Sequence, residues 1–166
     1  FNAAVTLESR GIPRLRGLAL YSWAFIKAVV RRYKFLDLHI TRDGHKEMRP
    51  TLALTVNLGL REGGFLVTPR AKLDDGWFDY VEAGPLSRWK ALTLLPRLAQ
   101  GTLPIDHQLL RQGRCHLVDV QSIEPMAIHL DGELFCTEAD HIQGIRVSIR
   151  PAALTVLSTQ PGHDPV

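Results

Sequence analysis

Apolar and polar positions alternate with a period of two along most of the chain and shift to helical spacing in two places. Residues 1–8 alternate weakly and predict a strand, which Arg10, Gly11, Ile12 and Pro13 then break. From 14 to 35, Leu15, Leu18, Ala19, Ser22, Ile26, Val29, Val30 and Tyr33 fall in one stripe at 100° per residue, predicting the longest helix. Residues 35–41 alternate and run into Arg42-Asp43-Gly44-His45, a hairpin tip. Leu52, Leu54, Val56 and Leu58 give a strand over 51–58, and another is predicted over 77–82. Ser87 is suited to cap a helix over 87–99, with Leu86, Trp89, Leu92, Leu95 and Leu98 as its apolar positions. Pro96 should kink that helix or start a new turn, and Gly101 should stop it. Residues 103–113 read as a connector. Strands follow over 115–123, 126–130, 142–149 and 154–157, and 158–166 should be a flexible tail.

The total is about nine or ten closely spaced strands with two helices. Nearly all of the second half is strand and short turn. The expected class is mainly β with helices, a β-sandwich-like domain over 1–157 rather than alternating βαβ units.

The long helix changes this picture in one respect. Arg16, Lys27, Arg31, Arg32 and Lys34 lie off its apolar stripe, and Trp23 and Phe25 flank it. Such a helix either covers a sheet with its basic face in water or lies on an anionic membrane.

Composition narrows the class little. The 166 residues are 45% hydrophobic and 22% charged, with a net charge of +3. These values suit a globular domain with a real core and give no signature of nucleic-acid binding. Cys115 and Cys136 have neither metal-site spacing nor a disulfide framework, which suits a reducing, cytoplasmic setting. No apolar run reaches the length of a membrane span. The chain opens on Phe1-Asn2-Ala3 and looks cut from something longer.

Two acidic turns are candidates for chemistry. Asp131-Gly132-Glu133 sits between alternating segments, where a hairpin tip with two carboxylates is expected. Asp74, Asp75 and Asp79 surround Gly76 in the densest acidic cluster of the chain. Such a loop suits either a plain turn or a hard cation that takes carboxylate and carbonyl oxygens. Gly63-Gly64 ahead of Phe65 allow backbone conformations closed to other residues. No Gly-Lys-Ser phosphate loop, no Gly-x-Ser-x-Gly elbow and no His pair beside a glutamate at zinc spacing is present.

In order, Phe1-Asn2-Ala3, Gly17-Leu18 with Tyr21, Asn57, Gly63-Gly64, Pro69, Ala71, Asp74-Asp75-Gly76, Gly101, Asp131-Gly132-Glu133 and Pro151-Ala152-Ala153-Leu154 form a specific set. This set resembles the C-terminal half of the lipid kinases that include diacylglycerol kinases, sphingosine kinases and their bacterial relatives. The resemblance implies the β-sandwich lobe of the NAD kinase/diacylglycerol kinase-like fold. It also implies an N-terminal nucleotide-binding domain that is absent from this chain and carries the main ATP-binding loop.

The implied function is ATP-dependent phosphorylation of a lipid hydroxyl, diacylglycerol-like or on a sphingoid base, with Mg2+; the fragment alone should be inactive. Glu133 matches the family's general base, and Asp131 and Gly132 face the nucleotide. Asp75, with the carbonyls of Lys72 and Trp77, matches the ligands of a structural magnesium. The implied partners are the nucleotide-binding domain, a transient membrane surface and a second copy of the chain, with no nucleic acid. An alternative is a non-catalytic β-sandwich module that binds a lipid or membrane surface.

Overall fold

The computed structural model describes residues 1–12, 15–105 and 108–155. Pro13, the expected start of the long helix at 14, the end of the last strand at 156–157 and the tail at 158–166 lie outside the described residues.

The chain opens on a helix, α1 (Asn2–Arg10), where alternation predicted a strand. The weak alternation of 1–8 also carries helical spacing. Phe1 and Val5 are four residues apart and both pack in one cluster with Ala24 and Ala28 of α2 (Gly17–Arg31). Ala3, Val5, Thr6 and Glu8 are the buried positions of α1. Tertiary burial has therefore overridden a weak local preference. Buried Glu8 ties the two helices together, accepting from Lys27 at 2.9 Å and Arg32 at 3.1 Å, with Arg31 at 3.7 Å. Hence Lys27 and Arg31 of α2 and Arg32 at its end turn back onto α1.

Helix α2 exists as expected, and Val29 of its predicted stripe is buried, but the rest of its inward face is set by Tyr21, Ala24, Phe25 and Ala28. Much of the predicted stripe points outward: Leu15, Leu18 and Val30 are exposed, as is Trp23. Helix α3 (Arg88–Gln100) follows the sequence closely. The Ser87 hydroxyl accepts from the Lys90 amide at 3.2 Å, and Gly101 ends the helix in the left-handed conformation at φ 70°. Pro96 is accommodated inside the helix without ending it. Ala91 and Leu94 point inward, whereas Trp89 is 80% exposed.

Nine strands are described. One sheet has the order β2 (His45–Thr51), β1 (Leu36–Arg42), β6 (Leu117–Ser122), β9 (Gly144–Ser148), all antiparallel. A second has the order β3 (Ala53–Asn57), β4 (Phe78–Ala83), β5 (Leu110–Cys115). The expected connector over 103–113 and the single strand over 115–123 need correction. β5 begins at Leu110, and the chain switches sheets at His116, where the inward positions shift register from Cys115 to Val118 and Val120. The switch is pinned by Asp43, whose carboxylate accepts from the amides of His116 and Leu117 at 2.9 to 3.1 Å.

The two sheets enclose a core of Leu38, Ile40, Phe78, Cys115, Val118, Val120 and Met126. An ionic seam closes one edge of it. Arg42 of β1 pairs with both Glu47 and the buried Glu82 of β4, and Arg49 reaches Glu82 at 3.1 Å. On the other face of the second sheet, Val81 and Leu110 pack with Phe65, Val67 and Leu94 under the helices. The layers are sheet, sheet, helices. A third, two-stranded unit, β7 (Ile128–Leu130) and β8 (Glu133–Cys136), contacts α1.

Candidate functional site

The β7–β8 hairpin turns on Asp131 at φ 49° and Gly132 at φ 84°. Positive φ at both central residues is the two-residue hairpin turn that an Asp-Gly pair favours, so this expectation is met locally. Asp43 and Gly44, at φ 46° and 89°, make the same turn between β1 and β2.

Pairing then decides which side chains share a face. Leu130 is opposite Glu133, and His129 is opposite Leu134. Side chains alternate between the two faces of a strand, so Glu133 and His129 project from opposite faces of the hairpin. Glu133 is exposed on the outer face with Leu130 and Phe135, and His129 on the inner face is only 14% exposed.

Two cavities meet at the inner face. The first, about 130 Å³, runs between the second sheet and the helices and is lined mainly by apolar side chains, Tyr21, Phe25, Phe65, Leu94 and Leu98 among them. The second, about 500 Å³, opens between the two sheets, with Leu38, Val56, Val118 and Met126 on its walls. Gly132, His129 and Glu62 border both, and Asp131 borders the larger one.

Where they meet is a small polar network. His129 Nε2 lies 2.9 Å from Glu62 Oε1. The Thr55 hydroxyl donates to Glu62 Oε2 at 3.0 Å, and the Asn2 amide donates to the Thr55 hydroxyl. Glu62 is placed by a tight loop in which it exchanges backbone hydrogen bonds with Phe65 at 3.1 Å. The loop needs its glycines. Gly63 sits at φ +58° beside the Tyr21 ring, and a Cβ on Gly64 would come within 2.7 Å of the Leu18 Cα. Asn57 braces the same loop by donating to Thr68 Oγ1 at 3.1 Å, while the Thr68 hydroxyl donates to the Gly59 carbonyl at 2.7 Å.

Sequence reasoning missed Glu62, His129, Thr55 and Asn2 as a group. They lie far apart in the chain, and the only local signal is a histidine at an inward position between Ile128 and Leu130.

The acidic loop lies elsewhere, at the entry to β4. The Asp75 carboxylate accepts from the Trp77 amide at 3.1 Å through Oδ1, and Oδ2 is taken by the Arg114 guanidinium. Arg114 also lies over the Trp77 ring. Lys72 and Asp74 are exposed. Asp79 points toward the helix side, and burial raises its pKa. Both Asp75 oxygens are engaged and its charge is already neutralised, so as arranged Lys72, Asp75 and Trp77 do not fit a bound divalent cation. Among the described residues no cluster of three or more His, Cys, Asp and Glu side chains has metal-binding geometry.

Comparison with known proteins agrees with this architecture. The profile of the YegS C-terminal NAD kinase beta sandwich-like domain matches residues 1–158. Two solved structures of a putative diacylglycerol kinase from Bacillus anthracis str. Sterne share the fold. One is 15% identical with a TM-score of 0.56, covering 80% of this chain and 39% of that one. The other is 16% identical with a TM-score of 0.52, covering 76% and 40%. The chain thus spans about two fifths of the length of these structures. No curated protein matches.

Proposed function

Since the chain belongs to the family of YegS C-terminal NAD kinase beta sandwich-like domains, we propose that it is the lipid-binding lobe of an ATP-dependent lipid kinase. The observation that carries this reading is the apolar cavity that reaches Gly132, the central residue of the Asp131-Gly132-Glu133 turn. A long apolar chain fits between helices and sheet, and its hydroxyl end then lies at the hairpin.

Each proposed site residue has a role in this reading. Glu133, exposed at the end of the hairpin, takes the proton from the acceptor hydroxyl as it attacks the γ-phosphoryl group. Asp131 and Gly132 form the edge that meets the nucleotide. ATP is held chiefly by a nucleotide-binding domain of the same protein, and magnesium comes with the nucleotide as its counter-ion. The acceptor is a diacylglycerol-like or sphingoid alcohol. The test is transfer of the labelled γ-phosphate of ATP to 1,2-dioctanoyl-sn-glycerol or sphingosine by the full-length protein. Transfer to either supports the reading, and transfer to neither overturns it.

A second reading has its own observation. Leu15, just ahead of α2, and Leu18, Trp23 and Val30 of the helix are each between 39% and 60% exposed. Arg88 of α3 donates to the Val30 carbonyl at 3.3 Å, which brings exposed Trp89 to the same end. Exposed Arg16, Lys90 and Arg97 add positive charge to this helical layer. An apolar face rimmed by cations suits an anionic bilayer, and no helix of the described residues is long and apolar enough to cross one. Peripheral membrane contact fits a kinase of membrane lipids as well as a non-catalytic module. Self-association through this face is the competing use of it. The two functions separate on Glu133, which a non-catalytic module does not need.

A further inference from the structure

Among the described residues β3 is an edge strand of the second sheet, and the two cavities meet around it. We infer that the larger cavity takes a second hydrocarbon chain, so that the ligand is a two-chain lipid straddling β3 with one chain on each face of the sheet. This rests on the reading of the chain as a lipid-binding lobe and narrows the class of lipid it takes.

Alternation along the strands separates the two faces. Leu54 and Val56 of β3 border only the larger cavity, as do Val118 of β6 and Val147 of β9 in the other sheet. Val81 and Ala83 of β4 border only the smaller one, with Leu94 and Leu98 of α3. Asn2, Ala53, Thr55, Glu62, His129 and Gly132 border both. The result is a fork with β3 between its arms.

Size shows that the smaller arm is not the whole site. Ligand cavities span about 300 to 1,000 Å³. The larger arm, at about 500 Å³, falls in that range, and the smaller, at about 130 Å³, lies below it. Protein cores hold few spaces larger than a water molecule, yet this one is walled by buried Leu38, Val118, Val120 and Met126. Hydrocarbon is what such walls match. One chain matches one arm, and two chains match both.

The partition between the arms fits the place where two chains diverge. Asn2, Thr55, Glu62 and His129 form a polar row along it. In a two-chain lipid the hydrocarbon diverges from ester or amide linkages, so polar linkages lie over the polar row and the chains over apolar walls. Gly132 borders both cavities and is itself exposed, so both arms reach the surface at the tip of the turn. The head of the lipid emerges at that tip, one residue from Glu133, and not beneath the inner face of the hairpin.

The test titrates the full-length protein, carrying labelled methyl groups, with 1,2-dioctanoyl-sn-glycerol and follows it by NMR. Ile145 and Val147 report the larger arm, and Val67 and Leu98 the smaller. One lipid per protein should move both sets of signals together. No binding, movement of one set only, or two lipids per protein overturns the inference. Val147→Phe, which places a ring in the larger arm, should weaken 1,2-dioctanoyl-sn-glycerol by at least about tenfold, roughly two buried methylenes, and 1-octanoyl-sn-glycerol by less than about twofold. An equal effect on the two lipids overturns it as well. The wild-type titration needs no variant and decides the matter even where the substitution unfolds the chain. Lipid phosphorylation is assayed separately. Movement of both sets without phosphorylation overturns the kinase reading alone. Phosphorylation with only one set moving overturns the two-chain site alone.

Discussion

Leu130 and Glu133 face each other across the β7–β8 hairpin, which turns Glu133 outward and leaves His129 on the cavity side. The carboxylate proposed as base therefore lies on the opposite face of the turn from the imidazole that borders the cavities. Glu133→Gln should lower kcat for lipid phosphorylation by about 10² to 10⁴, the usual contribution of a general base. Steady-state kinetics of the full-length protein check this, and an unaltered kcat removes Glu133 from the chemistry.

The Arg42–Glu82 pair joins the two sheets where water is excluded, Glu82 being only 1% exposed. Removing Glu82 leaves the largely buried Arg42 and Arg49 to share Glu47 alone. Glu82→Ala should cost about 3–5 kcal/mol of unfolding free energy. Replacing both partners together, as Arg42→Met with Glu82→Leu, should cost less than the single change. Urea unfolding followed by circular dichroism tests both, and a double variant weaker than the single one contradicts it.

Glu8 links α1 to α2, and its pKa is lowered, first by the hydrogen bond from Lys27 against the opposing effect of burial, then by Arg32 and Arg31. A carboxylate with a lowered folded-state pKa contributes stability that is present above its unfolded value, 4.5 in the reference state, and is lost as pH falls through the folded value. Glu8→Gln should therefore be less stable than wild type at pH 7, with the difference shrinking as pH falls below 4.5. Melting temperatures from pH 7 to 3 read this directly, and a gap that widens in acid reverses the assignment.

Arg114 occupies the carboxylate that a magnesium ion in the acidic loop would need. Millimolar magnesium should leave the melting temperature of the wild type unchanged. Arg114→Ala frees Asp75, so magnesium should then raise that variant's melting temperature by linkage of binding to folding. A magnesium-dependent rise in the wild type would show that the ion displaces the guanidinium.

The outward stripe of α2 predicts binding to vesicles of phosphatidylcholine with phosphatidylglycerol that weakens with salt. Trp23→Ser and Trp89→Ser should each reduce the affinity by about tenfold, the loss of roughly one buried aromatic contact. Sedimentation with sucrose-loaded vesicles measures it. Wild-type affinity in both variants removes this face from membrane contact, and concentration-dependent dimers lost with the same substitutions would assign it to self-association.

What the sequence alone determined is whatever short-range backbone physics enforces. The Asp43-Gly44 and Asp131-Gly132 turns were legible because two adjacent residues must take positive φ there. Helix α3 was legible from its Ser87 cap and Gly101 stop. The order of such motifs along the chain also indicated the family that the profile over 1–158 identifies. Tertiary structure decided the rest, because packing energy between distant segments exceeds the preferences of single residues. It made residues 2–10 a helix by burying Ala3 and Val5 beside α2. It kept Val29 of the predicted stripe inside but otherwise built the inner face of α2 from Tyr21, Ala24, Phe25 and Ala28, leaving Leu18 and Val30 outside. It made a strand, β5, of residues expected mainly as connector and parted Cys115 from the rest of the predicted 115–123 run at His116, where the chain leaves one sheet for the other. Only the fold could bring Glu62 to His129, since no local rule relates a glycine-rich loop to a hairpin strand on the far side of a cavity.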